Sequence, residues 1–273
     1  MQLLTLEVLM CLATWGSSEV MKDQFTCKQF FHKGKEPSGL IPHNAARICQ
    51  TYMNKVHFAT MYDKTNRIPV FSAYKYNRND ENVERVDYYE PQLVDRSGNK
   101  NMDDMPNNIS EKLKESQAVT EDYKEENMKI SSKQYNRGHL SPIMHHTDTD
   151  SKKATCTLTN IVPQLQELNG GQWNEYETRK MQNFTNGCHT TYVIVGAIPG
   201  QKYTSIKNKK RVNVPSHIWT AACCVNEKGN PVKFLGYIAG NDKNEVTNIS
   251  LNDLQNLLKT ASGRGVTLFY KGC

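Results

Sequence analysis

Apolar positions along the chain follow two kinds of pattern. Residues 190–197, 217–225 and 231–239 are short, nearly unbroken apolar runs rich in Val, Ile and aromatic residues, and each reads as a buried strand. Runs at 57–62 and 68–76 flank a polar turn at 63–67 and predict a β-hairpin. The other pattern is helical. After Ser250, a candidate N-cap, leucines at 251, 254, 257 and 258 share one helix face. A further helix is expected at about 166–182 and a short strand at 156–160. Residues 19–50 are mixed and basic, and Gly34, Pro37, Gly39 and Pro42 mark a loop between Cys27 and Cys49, where disulfide tethering is an open option. Residues 77–133 are dense in Asn, Asp, Glu, Lys and Ser, which predicts a long surface excursion with short helical pieces rather than a second core. Strands from both ends of the chain with helices between them give an α+β architecture.

Composition adds bounds. A chain of 273 residues is within reach of one large mixed domain. Lys and Arg total 34 against 28 Asp and Glu, a net charge of +6 that permits a polyanionic partner without demanding one. Residues 1–15 are largely apolar, although Glu7 interrupts them, and Gly16, Ser17 and Ser18 follow. This resembles a signal peptide over 1–18, so the mature chain is expected to begin near Ser18 or Glu19; an amphipathic N-terminal helix is the alternative. Sequons at Asn108, Asn183 and Asn248 agree with export. The eight cysteines form no CxxC pair, which removes support for a zinc ribbon or thioredoxin-like motif. Loss of the leader leaves seven, so disulfides are expected with one cysteine free or intermolecular. No later apolar run reaches the length of a membrane span. The reading is therefore a secreted chain with one domain over 19–273, its oligomeric state not encoded in any visible pattern.

Two segments carry candidate chemistry. In Tyr135, Asn136, Arg137, Gly138, His139, Leu140, Ser141 and Pro142, a guanidinium, a glycine and an imidazole sit together before a proline. Imidazole can accept a proton from water near neutral pH, and guanidinium can hold a phosphate oxygen pair. Taken alone, such a histidine is more often a surface or core residue. Thirty residues on, Leu158 to Gln164 leads into Leu168, Asn169, Gly170, Gly171, Gln172 and Trp173. Asn169, Trp173 and Glu177 are spaced i, i+4, i+8, so on a continuous helix they share a face. An amide oxygen and a carboxylate there can hold a hydrated hard cation. The plainer reading makes Asn169 an N-cap and Trp173 core.

Together these segments resemble the signature of the DNA/RNA non-specific endonuclease family, in which Asp-Arg-Gly-His is followed by Ser-Asn-x-x-Pro-Gln, then Asn-x-x-x-Trp and Glu. Residues 58–63, 67–74, 90–93 and 267–273 are similar to a vertebrate subgroup of that family. The resemblance implies a ββα-metal nuclease core in a mixed or antiparallel central sheet with flanking helices. It implies hydrolysis of DNA and RNA through backbone contacts, with little sequence preference. It makes His139 the general base, Asn169 the single direct protein ligand of Mg²⁺ or Mn²⁺, and Arg137 a cation at the phosphate. Glu177 would orient metal-bound water, Asn160 would stand at the strand end on the substrate side, and Arg85 is the candidate second arginine. Asn136 departs from the pattern, because an amide cannot supply the charge of the usual Asp. Reduced catalysis is expected from it, and a catalytically inactive secreted protein that binds nucleic acid or a protein partner is the alternative. A zinc hydrolase built on His145, His146 and His189 is a further rival without HExxH-like spacing. Lys207, Lys209, Lys210 and Arg211, or Lys152 and Lys153, are candidate guides for a polyanion or simply solvated turns.

Overall fold

The computed structural model of the protein describes residues 20–273 apart from Lys22. The expected leader and Cys11 lie outside the described residues. Eight strands form an antiparallel sheet in the order Val20–Met21, Ala45–Tyr52, Lys55–Asp63, Ile68–Lys75, Thr190–Ile198, His217–Val225, Pro231–Gly240 and Thr247–Asn248. The expected hairpin and the three expected buried strands occupy its middle. Side chains alternate between faces along a strand, and here both faces are covered. Val193, Val195 and Ile218 pack with Phe58, Trp173 and Tyr176 on one side, while Ile194 and Trp219 pack with Met61, Phe71 and Leu258 on the other. Burial on both faces is why these strands read as continuous apolar runs. Gly196 is required by this packing, since a Cβ there would run into the indole of Trp219 on the paired strand.

The second face is closed by the helix Leu251–Ser262. Its start follows the expected cap, with the Ser250 hydroxyl accepting from Asp253 N at 3.1 Å, and it ends at Gly263 in the left-handed region. Cys223 and Cys224 are adjacent on one strand and so point to opposite faces, where they form disulfides with Cys273 and Cys188. A third disulfide, Cys27–Cys49, ties the N-terminal loop to the sheet, and Cys156 is buried and unpaired.

Two adjacent strands of the sheet, Ile68–Lys75 and Thr190–Ile198, are separated by more than a hundred residues of sequence, and the candidate site lies in that insertion. Three elements of it matter most: a motif strand, Lys133–His139; an antiparallel return strand, Ile161–Leu165; and a helical stretch from Gln166 to Thr185.

The structure corrects several expectations. The strand Ala45–Tyr52 begins inside the Cys27–Cys49 segment taken as loop and runs beyond it. The strand expected at 156–160 is instead a 3₁₀ turn, Leu158–Asn160, and extended pairing begins only at Ile161. The polar stretch 77–133 is a surface excursion with short helices, yet it is anchored by buried Tyr88, Met102, Leu113, Val119, Tyr123 and Met128. Arg211 and Lys152 are not solvated guides. Arg211 is buried in a two-point ion pair with Asp122, Nε to Oδ1 at 2.8 Å and Nη2 to Oδ2 at 2.9 Å. Lys152 is buried and donates to the Glu81 carbonyl at 2.6 Å. Lys207, Lys209 and Lys210 are exposed on the hairpin Lys202–Ile206 and Lys209–Val214.

The Asp122–Arg211 pair joins this hairpin to the excursion, and Arg211 Nη1 also donates to the Lys114 carbonyl at 2.7 Å. Removing one partner of such a pair leaves an uncompensated buried charge. Asp122→Ala is expected to lower stability by about 3–5 kcal/mol, read as a shift in the urea midpoint; a midpoint within error of the wild type would show that the pair is dispensable.

Candidate functional site

The motif strand positions its residues by pairing. His139 lies opposite Ile161, Gly138 opposite Val162 and Asn136 opposite Gln164. Gly138 allows the strands to approach, because a Cβ would stand 2.6 Å from the Gln164 Cβ and meet its side-chain oxygen. Arg137 and His139, two apart, leave the same side of the strand. Both are half-buried.

Beyond the return strand, the chain enters the short helix Gln166–Gly170, which ends at Gly171 and carries Asn169 against the motif strand. Asn169 Nδ2 donates to Asn136 Oδ1 at 2.7 Å and to the Arg137 carbonyl at 3.3 Å. These bonds fix the amide and leave its carbonyl oxygen without a hydrogen bond among the described residues. A new helix starts at Gln172, and Glu177 falls in a π turn, Tyr176–Lys180. Asn169, Trp173 and Glu177 are therefore not on one continuous helical face, as the i, i+4, i+8 spacing suggested. The π turn leaves the Glu177 carbonyl to accept from His145 Nε2 at 2.7 Å, and π turns of this kind are frequent at functional sites. Burial raises the Glu177 carboxyl to about 8, partly opposed by the Trp173 indole, and no neighbouring cation offsets it.

Asn160 does not stand free at a substrate position. It is fully buried and its amide is committed on both ends. Its Oδ1 accepts from Ser72 Oγ at 2.8 Å and Ser141 N at 2.9 Å, while Nδ2 donates to the carbonyls of Ser141 and Thr155, each at 2.9 Å. It shapes the turn after His139. Arg85 is exposed and lines a cleft of about 750 Å³ together with Asp87, Lys124 and Arg137. Its charge reaches His139, whose pKa is lowered to about 3 chiefly by burial, then by Arg85 and Arg137. Sequence reasoning missed Asp87. Its carboxylate accepts from Arg137 Nη2 at 3.0 Å, across 50 residues of chain, and no local pattern marks that pairing.

The histidines of the zinc alternative are committed elsewhere or apart. His145 Nε2 donates to a carbonyl, so Nδ1 accepts from Tyr74 Oη at 2.8 Å, and His146 Nε2 meets Ser141 Oγ at 2.8 Å. Both rings are buried, while His189 is exposed. Among the described residues no three His, Cys, Asp or Glu side chains converge on a common point.

Comparison with known proteins adds three findings. Residues 37–268 match the family model described as DNA/RNA non-specific endonuclease. The chain is 31% identical over 241 residues to the mouse Endonuclease domain-containing 1 protein and 28% identical over 242 residues to its human counterpart, with 85% of this chain aligned in both. It spans 45% of the length of each, about half. Among solved structures, the fold is similar to one titled as the crystal structure of the EndoG/EndoGI complex, with TM-score 0.50 and 17% identity over 77% of this chain and 82% of that one.

Three histidines here are held neutral. The pKa values of His145 and His146 are lowered by burial to about 4 and about 3, and that of His139 to about 3. Folded values below the unfolded value of 6.5 mean that the unfolded chain takes up protons first. Stability is therefore full above pH 6.5 and falls on acidification, by about 1.4 kcal/mol per pH unit for each of the buried rings of His145 and His146. Nitrogen shifts of the three imidazoles are expected to stay those of the neutral ring from pH 8 to 5, with urea midpoints falling below pH 6.5. Titration of His139 near 6.5 would contradict the electrostatics described.

Proposed function

The chain belongs to the DNA/RNA non-specific endonuclease family, and from that premise we propose that it is a secreted, metal-dependent endonuclease that cuts DNA and RNA with little sequence preference. The observation that most supports this reading is the bond from Asn169 to Asn136. It leaves an oriented carbonyl oxygen beside the strand that bears Arg137 and His139.

That oxygen suits a hard cation that keeps most of its water. Asn169 would be the direct protein ligand of Mg²⁺ or Mn²⁺, Glu177 would act through coordinated water, and the ion would supply charge neutralisation at the phosphate. The remaining roles fall to the chain itself. His139, neutral at physiological pH, accepts the proton of the attacking water at a ring nitrogen. Arg137 and Arg85 line the cleft and bind non-bridging phosphate oxygens. Asn160 acts as a positioning residue through the turn at Ser141. Contacts of this kind read backbone rather than bases, hence the breadth of substrate. The inactive-binder alternative gives nucleic-acid binding with no chelator-sensitive cleavage.

Export is supported by the three disulfides, which suit an oxidising compartment, and by the exposure of Asn108, Asn183 and Asn248. No helix among the described residues is long and apolar enough to cross a membrane. The proposed organisation is a leader over 1–18 followed by the nuclease domain over 19–273.

His139→Ala is expected to lower single-turnover cleavage of plasmid DNA by at least about a hundredfold, with the thermal midpoint unchanged or raised. Asn169→Ala should lower the rate and raise the Mg²⁺ concentration needed for half-maximal cleavage. An unaltered Mg²⁺ titration in that variant, or full activity without His139, rejects the role concerned. Export is checked on protein collected from culture medium. Its N-terminus should begin near Ser18 or Glu19 and glycosidase should increase its mobility, whereas an intact Met1 chain with reduced thiols in the cytosol overturns secretion.

A further inference from the structure

Arg137 is held on two sides. Its Nη2 donates to Asp87 Oδ2 at 3.0 Å, and its guanidinium carbon stands 5.7 Å from the centre of the Tyr123 ring. Both supports are themselves fixed. Tyr123 is buried and its hydroxyl donates to the Ile161 carbonyl at 2.9 Å, at the residue paired with His139. The Asp87 carbonyl accepts from Met105 N at 2.9 Å, and the next residue, Tyr88, pairs with Asp104 and bridges to Thr157. The neighbour of Arg137 in the motif, Asn136, is neutral, and its side-chain oxygen is occupied by Asn169. The negative charge at Arg137 therefore comes from a different segment of the chain. Arg137 Nε is buried and has no hydrogen-bond partner, so the Asp87 bond at Nη2 and the Tyr123 ring set the direction of the fork.

We propose that Asp87 is a positioning residue: it aims the Arg137 guanidinium into the cleft shared with Arg85 and Lys124, and it competes with the substrate phosphate for that guanidinium. The proposal rests on the nuclease reading only for the identity of the competing anion. Two consequences of opposite sign follow. With Asp87 in place the cation is partly neutralised and binds polyanions less strongly, but it is held where a planar, charge-assisted contact can form. Without it the cation is free and misaligned, and a misplacement of about 1 Å costs on the order of a hundredfold in rate.

The experiment compares wild type, Asp87→Asn and Asp87→Glu as full chains. The side-chain Nε–H signal of Arg137, assigned with Arg137→Lys, reports order by heteronuclear relaxation without any nucleic acid. Binding of a 20-base-pair duplex in chelator is measured against salt, and single-turnover cleavage with Mg²⁺. In Asp87→Asn the Arg137 Nε–H is expected to become mobile, the salt dependence of binding to steepen by up to about 0.9 in log–log slope, and cleavage to slow at least about tenfold. Asp87→Glu should recover part of all three effects. A residue that merely stabilised the fold would lower the thermal midpoint and leave the slope unchanged. An Arg137 Nε–H as ordered in Asp87→Asn as in wild type overturns the proposal. If no form of the protein binds or cuts DNA, the nuclease reading fails, and the Nε–H comparison still decides the role of Asp87.

Discussion

The buried amide of Asn160 is the joint on which the site's geometry depends. It sits where the return strand begins, and its four hydrogen bonds reach three separate parts of the chain: Ser72 in the central sheet, both backbone groups of Ser141 after the motif strand, and Thr155 before the 3₁₀ turn. A fully buried amide has no water to replace a lost partner, and each unsatisfied group costs about 1–3 kcal/mol. The four positions are thereby fixed together. Ser72 is held in turn by Thr60 on the neighbouring strand at 3.1 Å, and the Asn160 carbonyl accepts from Leu140 N at 3.0 Å. Since Leu140 follows His139, the sheet dictates where the motif strand stops and where the imidazole is presented.

Around that joint, burial and charge act in one direction. His139 is deprived of solvent beside two guanidinium groups, so its neutral form is favoured. Glu177 is deprived of solvent with no cation near it, so its neutral form is favoured as well. An added cation near Glu177 would restore its charge, because an opposite charge favours the ionised carboxyl. Arg85, Lys124 and Arg137 line one cleft together with Asp87, Asp104 and Glu121, so it presents charges of both signs.

Much of the fold was legible because its strands are buried on both faces. Residues 190–197 and 217–225 could hardly be read otherwise, since Val193, Ile194, Val195, Ile218 and Trp219 all find cover. Ala45–Tyr52 was hidden by Arg47 and Gln50, which point inward yet are polar; Arg47 pairs with Glu36 and Gln50 donates to Thr159. The misassigned strand at 156–160 has the β-branched residues of a strand, but Thr157 and Thr159 use their hydroxyls to donate to the buried carboxylate of Glu90, and a 3₁₀ turn places them there. The motif histidine and Asn169 were visible as short patterns of residue type. Asp87, Tyr123 and the committed state of Asn160 were not, because each depends on a partner from 19 to 88 residues away in the chain.

That distinction bears on Asn136. Read along the chain, an amide in place of an acid removes both a hydrogen-bond acceptor and a charge from the motif. In three dimensions these are separable. Acceptance from Asn169 requires only a carbonyl oxygen, which Asn136 provides at 2.7 Å, although a neutral acceptor makes that bond weaker than a carboxylate would. The charge beside Arg137 can be delivered by any segment that reaches it, and Asp87 does so at 3.0 Å. A departure within a linear motif thus removes a function only when no other part of the fold performs it. The length of the insertion between the two sheet strands gives this chain many residues from which such a substitute can be drawn.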